Sequence, residues 1–134
     1  MKINTNPVTP EEQYMYGECL YFGFEVEENR QEAFKWYRKS AEQGYAPGMF
    51  VTGNMYFFGT GTEKNPGLAF EWYKRAADAG MPVAEYRIGE LYEAGQGVEA
   101  DHEQAVFWMR RASKAGEKLA AEWLQAMGES WSEN

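Results

Sequence analysis

Apolar and small residues return along the chain at a fixed interval of 36 positions. Gly17, Gly53 and Gly89 share one register. So do Gly23, Gly59 and Gly95, then Ala33, Ala69 and Ala105, then Trp36, Trp72 and Trp108. Gly44, Gly80 and Gly116 close three units, 10–45, 46–81 and 82–117, which align without a gap. A period of this size marks an architecture in which each repeat is one supersecondary unit stacked on the next. Residues 1–9 form an N-terminal arm, 118–134 a capping helix and tail, and 10–131 read as a single domain.

Each unit predicts two helices. Helix A starts at Pro10, Ala46 or Pro82 and stops before Gly23, Gly59 or Gly95, residues that take a left-handed C-terminal cap without a Cβ clash. Thr9 suits the N-cap of the first unit, Pro10 its first turn, and Glu12 completes a capping box. Helix B follows Asn29, Asn65 or Asp101, all good N-caps, with Pro66 at a first helical position. It ends near Gly44, Gly80 or Gly116, and its last turns carry Arg38 and Lys39, Lys74 and Arg75, or Arg110 and Arg111, matching the negative end of the helix dipole.

Inside helix A, Gly17, Gly53 and Gly89 each cost about 1 kcal/mol relative to alanine. A close crossing with helix B is the expected reason, with the alanines and tryptophans of helix B as the matching face. After Glu117, "KLAAEWLQAMGESW" predicts a seventh helix that keeps Ala120 and Leu124 at the registers of Ala84 and Ile88. Lys118, Glu122, Gln125 and Glu129 form a polar stripe along it, as a solubilising cap requires. The expected fold class is all-α: an α–α superhelix, or solenoid, of three 36-residue helix-turn-helix repeats plus a C-terminal capping helix.

The third unit, "AEYRIGELYEAGQGVEADHEQAVFWMRRASKAG", resembles the Sel-one-like repeat family, longer relatives of tetratricopeptide repeats. Ala84, Ile88, Gly89, Tyr92, Gly95, Gly97, Val98, Ala105, Trp108 and Gly116 fit its pattern. The second unit fits through Gly53, Tyr56, Gly59, Gly61, Ala69, Trp72, Tyr73, Ala76, Ala77 and Gly80. The first unit departs in its loop, "GFEVEEN", where Glu25 replaces the second glycine, while its helix B, "AFKWYRKSAEQG", fits. The resemblance implies a scaffold or adaptor that holds another protein or a peptide in a groove lined by helices A. Some secreted relatives carry a disulfide in each repeat, whereas this chain has one cysteine, Cys19.

By analogy with tetratricopeptide units, the groove side of helix A presents Tyr14, Glu18 and Tyr21, then Phe50, Asn54 and Phe57, then Tyr86, Glu90 and Glu93. Phe22 and Phe58 occupy the next position in the first two units. The groove is therefore expected to be aromatic under the first two repeats and acidic toward the third. Tyr14, Phe50 and Tyr86, aromatic in every unit, read first as structural. Tyr21, Phe22, Phe57 and Phe58 stand where the third unit has Glu93 and Ala94, so they either pack against a neighbouring helix A or contact a partner with apolar and basic groups. The alternative reading is a specific inhibitor or immunity protein that blocks a toxin or enzyme, its acidic surface matching a basic target.

Composition narrows the classes further. Hydrophobic residues make up 44%, enough to bury a core. Thirteen basic against 21 acidic residues give a net charge of −8, which disfavours nucleic acid as a partner. The N-terminus lacks a secretory h-region and no run reaches the length of a membrane span, so a cytoplasmic, non-membrane protein is expected, as a monomer. No cofactor, metal or catalytic residue is expected either. His102 is the single histidine, beside Asp101 and expected on the surface, with no second ligand at metal-binding spacing. Cys19 aligns with Met55 and Leu91, which predicts a buried apolar role. "GTGTEKNPG" does not match a dinucleotide loop, follows a helix rather than a strand, and aligns with "GFEV" and "GQGV" as an inter-helix turn.

Overall fold

The computed structural model describes residues 2–130. Among them are seven helices and no strand: α1 (Pro10–Phe22), α2 (Arg30–Glu42), α3 (Ala46–Phe58), α4 (Pro66–Asp78), α5 (Pro82–Ala94), α6 (His102–Lys114) and α7 (Lys118–Ala126). They form two compact units, one ending at Trp72 and one starting at Tyr73.

The helix boundaries follow from their caps. Thr9 Oγ1 accepts from Glu12 N at 3.1 Å and Glu12 Oε1 accepts from Thr9 N at 3.0 Å, the capping box in full. Asn29, Asn65 and Asp101 cap α2, α4 and α6 through their side-chain oxygens. Gly23, Gly59 and Gly95 end α1, α3 and α5 at φ of 71°, 70° and 67°. Two residues further on, Gly61 and Gly97 also have positive φ, and Glu25 adopts it in their place at 59°. A Cβ on Gly61 would lie 2.3 Å from the Arg30 carbonyl oxygen at the start of α2.

In the first unit α1 packs on α2, α2 on α3, and α1 more lightly on α3. The glycine register does permit a close approach, but its partner differs from the expected tryptophan and alanine face. A Cβ on Gly17 would meet the Tyr37 ring at 3.0 Å, and in the second unit a Cβ on Gly89 would meet Met109 at 2.9 Å. Tyr37 and Met109 share one register of helix B, a residue beyond Trp36 and Trp108, so the crossing is one helical step (about 100°) away from the tryptophans. Trp36 is only half-buried, edge-on to Tyr16.

A second close approach joins Ser40 to Gly48, where an added Cβ would lie 2.9 Å from Ser40 Oγ. The Ser40 hydroxyl donates to the Pro10 carbonyl at 2.7 Å. At the corresponding registers the second unit has Ala76 with Ala84 and Ala112 with Ala120, all fully buried. One serine and one glycine thus replace two alanines. Nearby, Thr52 Oγ1 is buried with no hydrogen-bond partner.

In the second unit α5 packs on α6 and α6 on α7. Val106, Met109, Ala112, Ala120 and Leu124 form the core between the last two helices, with Tyr86 and Trp123 laid against it. Buried Glu85 accepts from Arg111 Nε at 3.1 Å. At its register in the first unit, buried Gln13 accepts from the Gln43 amide instead. Lys118, Glu122 and Gln125 face solvent on α7 as expected of a cap. The stripe stops there, because α7 ends at Ala126 and Glu129 turns back toward α6; residues 131–134 of the expected tail lie outside the described chain.

Candidate functional site

The i, i+4, i+7 spacing places Glu18 and Tyr21 on one face of α1, and the α1–α3 packing brings Asn54 and Phe58 opposite them. These four, with Phe22, Tyr37, Val51, Met55 and Thr60, line a cleft of about 230 Å³. Phe22 and Phe58 remain 69% and 66% exposed at its mouth, although they are large apolar side chains at the ends of their helices. Tyr21 lies edge-on to Phe22, at a centroid distance of 4.9 Å, and Phe57 lies edge-on to Phe58 at the same distance. Of the two adjacent phenylalanines of α3, Phe58 lines the cleft, while Phe57 is half-buried and supports Phe58.

The floor of the cleft is polar at one point. The Tyr37 hydroxyl donates to Glu18 Oε1 at 2.7 Å. Burial, reinforced by that bond, pushes the Tyr37 phenol far above its usual range, so it stays a neutral donor. Tyr14 packs on Tyr37 and Tyr45, each at a centroid distance of 5.5 Å. Phe50 is half-buried on α3.

The third unit treats the same registers differently. Arg87 Nη1 donates to Glu90 at 2.8 Å, and Arg87 Cζ lies 5.4 Å from the Tyr86 ring centroid. Burial, then a hydrogen bond to Glu90, pushes the Tyr86 phenol up. Glu93 contacts His102 Nδ1 at 2.7 Å, and Glu129 contacts His102 Nε2 at 3.2 Å. A ring held by carboxylates on both nitrogens is best satisfied as an imidazolium, and those two hydrogen bonds hold the His102 pKa above its ordinary value. His102 is on the surface as expected, but it joins α5 to the segment after α7. Residue spacing carries no sign of this, because Glu93 and Glu129 are 9 and 27 residues away.

Among the described residues no group of three His, Cys, Asp or Glu side chains could hold a metal. Cys19 is half-buried rather than buried, and desolvation pushes its thiol up, away from a reactive thiolate. No helix among the described residues is long and apolar enough to cross a membrane.

The Sel1 repeat family model matches residues 12–45, 46–81 and 82–117. The chain belongs to the Sel1 repeat family. A Sel1 repeat protein from Oxalobacter formigenes is 38% identical, with 87% of this chain covering 88% of that one at a TM-score of 0.80. A protective antigen of uropathogenic Escherichia coli with the same fold is 29% identical at a TM-score of 0.83. There 92% of this chain spans only 27% of that one. Helicobacter pylori cysteine-rich protein B shares the fold at 20% identity, with 86% and 94% covered and a TM-score of 0.68. No curated protein matches the chain.

The fold class is thus the all-α solenoid of helix-turn-helix repeats seen in Sel1 repeat proteins. Sel1 repeats generally serve as scaffolds for protein–protein interaction and are typically non-enzymatic.

Proposed function

We propose that this Sel1 repeat chain is a non-enzymatic adaptor whose partner, another protein or a peptide, docks on the first helices of the repeats with the α1–α3 cleft as its anchor point. One observation carries the reading: Phe22 and Phe58, 69% and 66% exposed, flank a cleft that also holds Glu18, Tyr21 and Asn54. Exposed rings at the rim of a concave site are the composition of an interaction hot spot. Burying one such ring against a partner contributes roughly 1.5–3 kcal/mol. Phe57 and Phe50 support the wall of α3 in this reading, and Tyr14 supports Tyr37.

Capture from the native host, followed by affinity measurement with the captured partner, tests it. A Phe22→Ser/Phe58→Ser double variant is expected to melt with the wild type, since both rings are exposed, and to bind at least tenfold more weakly. Unchanged affinity in that variant would overturn the reading.

A further inference from the structure

Among the described residues, the α1–α3 cleft is lined by one carboxylate and several aromatic rings, and by no lysine or arginine. Glu18 and Glu90 occupy one register in the first and third units. Glu90 is neutralised by Arg87 of its own helix, at 2.8 Å. The residue at the Arg87 register of the first unit is Met15, 65% exposed. Glu18 instead bonds the hydroxyl of Tyr37, which supplies a proton but no positive charge. That bond uses Oε1, and a carboxylate has about four acceptor sites. Arg30 lies 4.4 Å from the Tyr21 ring, but it is paired with Glu28 at 3.3 Å and does not line the cleft.

We propose that this cleft seats one basic side chain of the docked partner, an arginine in preference to a lysine, in the place that Arg87 fills beside Glu90 in the third unit. The inference rests on the docking reading above and names the chemistry the site selects. Aromatic faces attract a cation through their quadrupole, and a guanidinium can stack on a ring while donating to a carboxylate. The rings of Tyr21, Phe22 and Phe58 meet Glu18 here in one concavity. At about 230 Å³ the cleft is below the roughly 300–1,000 Å³ of sites for drug-sized ligands, a size suited to a single side chain. The net charge of −8 draws a basic segment toward it.

The test uses the full chain and a library of random 12-residue peptides. Selected peptides are expected to share an arginine. Replacing that arginine by citrulline, which keeps the shape and removes the charge, is expected to weaken binding about tenfold. Glu18→Gln, which keeps an acceptor for Tyr37 and is expected to melt with the wild type, should weaken the arginine peptide by a similar factor. Against Glu18→Gln the citrulline exchange should cost little more. Selected peptides without a basic residue that still shift the amide resonances of residues 18–22 and 51–60 would overturn the cation seat and leave the docking reading standing. Peptides that shift resonances only outside those segments would overturn both.

Discussion

The α1–α3 region and the α5–α7 region are built from the same repeat and handle their surface in opposite ways. In the second region the carboxylates of the first helix have basic partners within the chain, Glu90 in Arg87 and Glu93 in His102. In the first, among the described residues, Glu18 is bonded by a tyrosine hydroxyl, and Phe22 and Phe58 stay exposed beside it. The packing that defines the fold, a glycine of helix A under a residue of helix B, is common to both. In the proposed reading the repeat separates scaffold from function: what both regions share holds the helices together, and what differs is what a partner would meet.

Buried polar contacts provide the largest expected contrast. Arg111→Ala leaves the buried Glu85 carboxylate without its guanidinium. Removing one partner of a buried pair costs about 3–5 kcal/mol, and the half-exposed position of Arg111 lowers the expectation to about 2 kcal/mol. Gln43→Ala breaks the neutral counterpart at Gln13 and is expected to cost about 1 kcal/mol. Denaturant unfolding of both variants measures the difference; equal losses would mean that the charge at Glu85 is irrelevant to packing.

The glycine register offers the next test. Gly17→Ala presses a methyl group into a rigid tyrosine ring, whereas Gly89→Ala presses one into a flexible methionine side chain. Overpacking costs roughly 1–3 kcal/mol, and the gain in helix propensity offsets about 1 kcal/mol of it. Gly17→Ala should lower the melting temperature, and Gly89→Ala should leave it nearly unchanged.

A smaller effect of opposite sign is expected at Thr52, whose buried hydroxyl has no partner and whose register holds buried Ile88 in the third unit. Thr52→Val should stabilise the chain by about 1 kcal/mol, read as a higher denaturation midpoint with an unchanged slope.

The smallest effect belongs to His102 and depends on pH. Its folded pKa lies above the unfolded value of about 6.5. The stabilisation it gives is fully present below that unfolded value and is lost as the pH rises through the folded one. Melting curves of wild type and His102→Gln should therefore differ most in mildly acidic buffer and converge at alkaline pH. A gap that widens with rising pH would contradict the paired-imidazolium geometry.

Much of this was readable from residue pattern alone. Caps are local, so Thr9 with Glu12, Asn29, Asp101 and the glycines after each helix A identified the helix ends. Which side chain meets which was less readable. Tyr37 rather than Trp36 faces Gly17, and Phe58 rather than Phe57 lines the cleft; adjacent residues on a helix differ by about 100°, and periodicity does not fix phase that finely. Comparison of the repeats had a signal that was available: Tyr37, Tyr73 and Met109 keep a large residue at the register facing the glycines. The His102 contacts had none, since they join residues far apart in the chain.

Backbone hydrogen exchange of the chain alone and in complex with its captured partner reads out the docking face itself. The strongest new protection is expected in the segments 18–22 and 51–60, with exchange in α6 unchanged. Protection confined to α5 and α6, with the α1–α3 cleft exchanging as in the free chain, would contradict it.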